Sequence, residues 1–317
     1  MKTLLTRDIS EAARILTAGG LVAFPTETVY GLGARADQAG AVERIFEAKA
    51  RPPDNPLIVH VASEGEVLRV AHQIPDHARV LMETFWPGPL TLVLPARDDL
   101  PRTVSAGLDT VGVRMPDHPL ARALLSEAGV PVAAPSANRS GRPSPTSWEA
   151  VRDDLDGRIE AILQGTPARV GLESTVVDCT GATPVVLRPG GISLESLQQV
   201  VAGTTSMSQG DEASRRSPGT RHPHYRPEAV VRWVGPFTGS EPASRGIGQA
   251  GYIGIHPPPP GYALVCRVPG QQAYATELFH FFRSCETAGL AEVHCERFTP
   301  EGIGHALQDR IDRATGG

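Results

Sequence analysis

Lysine is almost absent from this chain of 317 residues: only Lys2 and Lys49 are lysine, and all other strong positive charge is arginine. With a formal net charge of −5 and a pI near 6.1, the composition excludes a generic nucleic-acid or membrane-surface binder, which needs a broad positive field. Any polyanion site must therefore be a local arginine cluster. Cysteine is also scarce: Cys179, Cys266, Cys285 and Cys295 lie far apart and form no CxxC pair, which excludes a zinc site by spacing and fits a reduced, cytoplasmic protein. Long apolar runs are lacking. The opening MKTLLTRDISEAARIL contains acids and reads as neither a signal peptide nor a membrane span. The familiar phosphate and metal motifs are missing too: there is no GxxxxGK[ST], no GxGxxG after the first strand and no HExxH. "GLGARAD" at 31–37 is too weak to serve as a dinucleotide loop.

What is present is an ordinary globular composition, 40% hydrophobic, in a chain long enough for a large core and two domains. Asp8 and Ser10 can cap a helix through Thr17 that Gly19-Gly20 ends. "LVAFPT" reads as a buried strand. "GAVERIFEAKA" is amphipathic, with Val42, Ile45 and Phe46 on one face, and Pro52, Pro53 and Pro56 make "RPPDNP" a rigid loop. "LIVHV", with His60 at its end, is the next strand, and helices are expected at 63–71, 75–85, 117–128 and 147–155. "LTLVLPA", "TVGVRMP", "PVAAPS", "AILQG", "STVVDCT" and "PVVLRPG" are further strands, so residues 1–200 form an α/β domain with a large sheet. The Ser-, Gly-, Thr- and Pro-rich stretch 201–228 reads as a linker. Residues 229–317, with strands at "AVVRWVG", "AGYIGI" and "YALVCRV" and helices at "AYATELFHFFRSCETAG" and "PEGIGHALQDRIDRATGG", form a smaller α/β domain.

Polar residues repeatedly interrupt strand ends. Thr26, Glu27, Thr28 and Tyr30 follow the first strand; Arg114 sits in "VGVRMP"; Ser136 and Asn138 follow "VAAP"; Ser174 and Thr175 open "STVVD"; and Arg188 closes "PVVLRPG". Each has a plain explanation as a turn residue, a cap or a snorkelling arginine, and His60 alone would pass for a satisfied histidine at a strand end. Their number is what carries weight, because α/β proteins bind ligands where strand ends and loops converge. A site holding Lys49, Arg51, Arg114 and Arg188 with several hydroxyls, and no nearby acid pair, suits a polyphosphate plus a small carboxylate. In so arginine-biased a chain, Lys49 reads as a compact point charge that a planar guanidinium cannot replace.

"FPTETVYGLGARA", "KARPPDNPLIVHV", "WPGPLTLVLPA", "VGVRMPDHP", "VAAPSANRSGRPSPT", "GLESTVVDCTGATPVVLRPGGIS" and "SPGTRHPHYRP" together closely resemble the two-domain threonylcarbamoyl-AMP synthases, which carry an N-terminal YrdC-like domain. The resemblance runs in order over residues 5–228 and returns in "PEGIGHALQDRIDRA". It implies a YrdC-like domain with a large twisted mixed sheet and a basic cavity, followed by a Rossmann-like C-terminal domain. It also implies a reaction of L-threonine, bicarbonate and ATP that gives threonylcarbamoyl-AMP and pyrophosphate. A separate transferase would use the product on tRNA, so tRNA is met only indirectly. By position, threonine would meet Thr28, His60, Arg114, the backbone near Ala134, and Ser174. ATP would meet Lys49, Arg51, Asn55, Thr110, Ser136, Asn138, Ser144 and Arg188. Lys49, Arg51 and Arg114 would be the catalytic cations. Magnesium would arrive with ATP, with no dedicated protein ligands, and His224 and Tyr225 would belong to a linker that folds over the site. The chain departs from the family pattern at Arg221 and Pro223, where a lysine and an arginine are common, and at Gln164-Gly165-Thr166, where Asp-Gly-Gly is expected.

Two rival classes remain at this level. An RNA-binding module would use the arginine-rich stretches 139–142 and 215–226, against which stand the acidic balance and the 5% aromatic content. A maturation enzyme transferring carbamoyl from carbamoyl phosphate would share the YrdC-like domain, but such proteins add acylphosphatase and zinc-finger-like parts, and this chain has no cysteine array.

Overall fold

The computed structural model describes residues 2–207, 225–237 and 247–316. In chain order the first part comprises β1 (Leu4–Thr6), α1 (Ile9–Thr17), β2 (Val22–Phe24), β3 (Gly31–Arg35), α2 (Ala39–Lys49) and β4 (Ile58–His60). A 3-10 helix (Glu64–Arg69), α3 (Asp76–Phe85), β5 (Leu90–Pro95), α4 (Arg102–Ser105), β6 (Thr110–Arg114) and α5 (Pro119–Ala128) follow. The part closes with β7 (Val132–Ala133), α6 (Trp148–Leu155), β8 (Ala161–Leu163), β9 (Thr175–Asp178), β10 (Val185–Arg188), α7 (Leu194–Val200) and β11 (Thr205–Ser206). Among the described residues these strands make one mixed, 11-stranded sheet, in the order β1-β8-β2-β3-β7-β4-β6-β5-β9-β10-β11. The second part comprises β12 (Val230–Val234), a 3-10 turn (Ile247–Gln249), β13 (Ala250–Gly254), β14 (Leu264–Arg267), α8 (Gln271–Thr287), β15 (Glu292–Glu296) and α9 (Gly304–Thr315). Its four-stranded sheet, β12-β15-β13-β14, is parallel throughout. The expected α/β architecture, a large mixed sheet with a smaller second one, is the architecture found.

Local chemistry explains the elements that position the site. Asp8 caps α1 by accepting from the N–H groups of Ser10 and Glu11, a contact worth about 1 kcal/mol. Helix α2 buries Val42, Ile45 and Phe46 in the main core, each contributing about 1.5–3 kcal/mol. It stops at Ala50, which is left-handed at φ 50°, and the prolines beyond forbid another turn. Lys49 is thereby the last helical residue, 1% exposed, with its side chain turned inward.

Some expectations need correction. The segment 63–71 is a short 3-10 helix over Glu64–Arg69, not an α-helix. "GLGAR" is a central strand, although glycine is normally depleted in strands. Gly33 is there because a Cβ would lie 2.9 Å from both Phe24 and Val132 on the neighbouring strands. β11 falls within the 201–228 stretch and pairs with β10 in the large sheet.

Candidate active site

The floor of the site is one face of β4 and its parallel neighbour β6. Register sets Ile58 opposite Gly112 and His60 opposite Arg114. Alternate residues share a face, so Pro56, Ile58 and His60 line a cavity that is partly open to solvent. The floor runs about 13 Å from Pro56 to His60, at 3.3 Å per residue. Because β4 and β7 are so short, loops from both ends of the sheet fold over this face. From one end come Thr26–Val29, Lys49 and the segment after β7; from the other come Arg114, Ser174 and Arg188.

Lys49, Arg51, Arg114 and Arg188 all line this cavity. The Lys49 ammonium donates to the carbonyl of Ser136 at 2.5 Å and to that of Asn138. Arg188 donates to the Ser174 carbonyl at 2.9 Å and to its hydroxyl at 3.3 Å; that hydroxyl also pairs with Thr91 at 2.8 Å. Burial, reinforced by Arg51, pushes Lys49 well below the usual lysine range. Burial also lowers Arg51 to about 10, and it lowers Arg188. Cations held down in this way gain from any anion that enters, which is the electrostatic signature of an anion site.

His60 is uncharged here. Burial first, and the Arg114 charge second, lower its pKa to about 3, and its Nδ1 has no protein partner among the described residues. An imidazole near 6.5 in the unfolded chain takes up a proton as pH falls below 6.5, whereas the folded one resists until about pH 3. His60 therefore costs stability progressively across that window, by at most about 1.4 kcal/mol per pH unit, and costs nothing above it. His60→Gln is expected to flatten the acid limb of a pH–melting profile between pH 6.5 and 3. An unchanged acid limb would show that the ring is charged in the folded state.

Two acids lie at the site, each paired with an arginine and not with the other. The Glu27 carboxylate meets Arg114 at 2.6 Å, with side-chain exposures of 0% and 5%. Glu173 accepts from the Ser144 hydroxyl at 2.6 Å and from Arg310 of α9 at 2.7 Å. Burial opposes the Glu173 charge, but Arg310, Arg188 and the Ser144 hydroxyl outweigh it and hold the carboxyl below its usual range. Sequence reading grouped Glu27 with the polar residues after the first strand but gave it no role of its own, and it gave no part to Arg310, Asp154 or Arg283, which carry no local signal.

The second domain braces this site from behind. Arg283 of α8 meets the buried Asp154 at 2.8 Å and donates to the Pro143 carbonyl, pinning the loop that carries Ser136, Asn138 and Ser144. Gly171, at φ 80°, lets the loop before Glu173 touch the α8 backbone: a Cβ there would lie 2.4 Å from the Thr276 Cα. Val29 and Leu172 of the first domain pack into the second domain's own core.

Of the expected site residues, Thr28, Lys49, Arg51, His60, Arg114, Ala134, Ser136, Asn138, Ser144, Ser174 and Arg188 all line the cavity, and so does Tyr225. Asn55 and Thr110 are buried but outside the lining; Arg51 leans toward the Asn55 carbonyl at 3.4 Å, and strand register sets Thr110 opposite Pro95 of β5. His224 and the rest of 208–224 lie outside the described residues.

Fold and site together define a two-domain α/β protein with a cation-lined cavity suited to a small anionic ligand. The Sua5/YciO/YrdC family model, described as Telomere recombination, matches residues 14–190, and the model for the threonylcarbamoyl-AMP synthase C-terminal domain matches 192–316. The chain is 42% identical to the threonylcarbamoyl-AMP synthase of Bacillus subtilis (strain 168), over 98% of this chain and 93% of that one. It is 41% identical to that of Pyrococcus abyssi (strain GE5 / Orsay), over 96% and 93%. A crystal structure of P. abyssi Sua5 complexed with L-threonine superposes with a TM-score of 0.89 at 40% identity, covering 99% of this chain and 97% of that one. The chain belongs to the threonylcarbamoyl-AMP synthase family, in its two-domain form. It is therefore an enzyme of the nucleotidyltransferase class.

Proposed function

We propose that this enzyme joins L-threonine, bicarbonate and ATP into threonylcarbamoyl-AMP and pyrophosphate, a product that a separate transferase consumes in modifying tRNA. The observation that carries the reading is the convergence of Lys49, Arg51, Arg114 and Arg188 on one cavity over the β4 face. Threonine occupies the His60–Arg114 end, where the Arg114 guanidinium takes the α-carboxylate. Ser174 completes that end, Thr28 and the backbone at Ala134 reach the ligand from the other, and the neutral His60 ring receives polar groups without repelling the ammonium. ATP lies along Lys49, Arg51, Ser136, Asn138, Ser144 and Arg188, with Asn55 and Thr110 behind.

Threonine's amine and bicarbonate give an N-carboxy-threonine and water. A carboxylate oxygen of that adduct attacks the α-phosphorus in line, the bond to the bridging α–β oxygen breaks, and pyrophosphate leaves. The chain supplies no nucleophile. It positions the reactants, neutralises the charge that develops on the phosphates, and keeps water from a labile adduct. Magnesium, when bound with ATP, neutralises further phosphate charge. The described residues hold no group of three or more His, Cys, Asp or Glu that could cage a metal, and Glu27 and Glu173 are committed to arginines, a donor set that suits a cation carried by phosphates and water.

No helix among the described residues is long and apolar enough to cross a membrane. The test is pyrophosphate release from ATP, with mass detection of the adenylate. Release should require both threonine and bicarbonate, and release that ignores threonine would sink the reading.

A further inference from the structure

Arg310 is the largest fully buried side chain among the described residues, at 0% exposure, yet it belongs to α9 of the second domain and lines no part of the cavity. Every polar group of its guanidinium is engaged. Nε donates to Glu173 at 2.7 Å, Nη1 to Asp309 at 2.5 Å, and Nη2 to the Pro189 carbonyl at 3.0 Å. The same guanidinium lies 5.2 Å from the centre of the Tyr225 ring, which also stacks on Phe279 of α8 at 5.4 Å. Tyr225 and Glu173 both line the cavity.

We propose that Arg310 is a positioning residue of the active site: it holds the Glu173 carboxylate away from the phosphate-binding cations and fixes the Tyr225 ring, so that the second domain completes the ATP pocket. Glu173 is the one carboxylate among the cavity-lining residues. A bare negative charge there would repel phosphates and draw Arg188 off the Ser174 carbonyl. With one oxygen on Arg310 and the other on Ser144, the carboxylate has no such freedom. The arrangement also sets the polarity of Ser144. An ionised carboxylate can only accept, so the Ser144 proton is committed to Glu173 and the hydroxyl faces ligand as an acceptor. It therefore suits a ribose hydroxyl or an amino group of the nucleotide better than a phosphate oxygen. Arg188 and Lys49 are left to meet the phosphates.

This inference rests on the functional reading above, and the experiment separates the two. ATP affinity and threonine-dependent pyrophosphate release are measured for the full-length wild type, Arg310→Gln, Arg310→Lys and the double variant Glu173→Gln/Arg310→Gln, with melting curves for each. Arg310→Gln should raise the KM for ATP at least about tenfold, because one partner of a buried charge pair has been removed, and should raise that for threonine several-fold less. Arg310→Lys should recover part of the loss. The double variant, which removes the stranded carboxylate too, should recover most of the ATP KM and the melting temperature. Equal losses for both substrates in Arg310→Gln, or a folded double variant no better at binding ATP than the single one, would overturn the proposal. If the single variant fails to fold, the double variant is set against the wild type: with the Tyr225 ring unheld its KM for ATP should still stand above the wild type's, and an equal KM there rules the proposal out. Wild-type protein that binds no ATP would instead bring down the functional reading, and this inference with it.

Discussion

Lys49→Arg keeps the charge and is expected to cost about a hundredfold or more in kcat/KM, the scale of a displacement of about 1 Å in a positioned group. The reason is local. The ammonium sits at the end of α2, 1% exposed, with two of its three protons on the Ser136 and Asn138 carbonyls and the third available to a phosphate oxygen. Three tetrahedral donors on one atom can do this, whereas the planar fork of arginine cannot serve two converging carbonyls and a ligand together. Its extra bulk in a closed space costs about 1–3 kcal/mol besides. Lys49→Met should lose as much by leaving two buried carbonyls without a donor. Pyrophosphate release and ATP binding, measured at a temperature where the variants are folded, check this. A near wild-type rate in Lys49→Arg would mean that charge alone matters, and that the placing of one of only two lysines here is chance.

Arg114→Ala is expected to do two separable things. It strands Glu27, whose side chain is 0% exposed, and breaking a buried pair from one side costs about 3–5 kcal/mol of stability. It also removes the charge-assisted clamp for the threonine carboxylate, so the KM for threonine should rise about a hundredfold or more while that for ATP moves little, since losing a buried charged partner costs about 2–5 kcal/mol. Adding Glu27→Gln should return most of the melting temperature and none of the threonine affinity. If the second change restored threonine binding as well, Arg114 would be only a structural counter-ion for Glu27. Melting curves and substrate titrations on the three proteins decide it.

The sequence showed those parts of the fold whose signal is local. "LTLVLPA" and "TVGVRMP" are apolar runs bounded by turn residues, and α1 and α2 have clear caps or breakers, so these elements fall where expected. β3 was hidden because its glycines answer to Phe24 and Val132 across the sheet, not to their own neighbours. β1, β11, α4 and α7 are two to seven residues long, too short for periodicity to mark. The charged "EVHCE" of β15 is an interior strand, between β12 and β13, without an apolar run. The site follows the same division. Hydroxyls and arginines interrupting strand ends could be read along the chain, but their partners could not. Arg114 and Glu27 are 87 positions apart, and Arg310 and Glu173 are 137 apart, so each pair exists only once the sheet and the second domain have formed.

That separation has a consequence in time. A ribosome working at roughly 5–20 residues per second leaves Glu173 without its counter-ion for roughly 7 to 27 seconds, because Arg310 is made 137 residues later. During that interval Val29 and Leu172, which belong to the second domain's core, are uncovered, and the growing chain carries a nascent pocket with a loose carboxylate in it. Catalytic competence should thus switch on late and abruptly in synthesis, when α9 docks, and not gradually as the first sheet assembles.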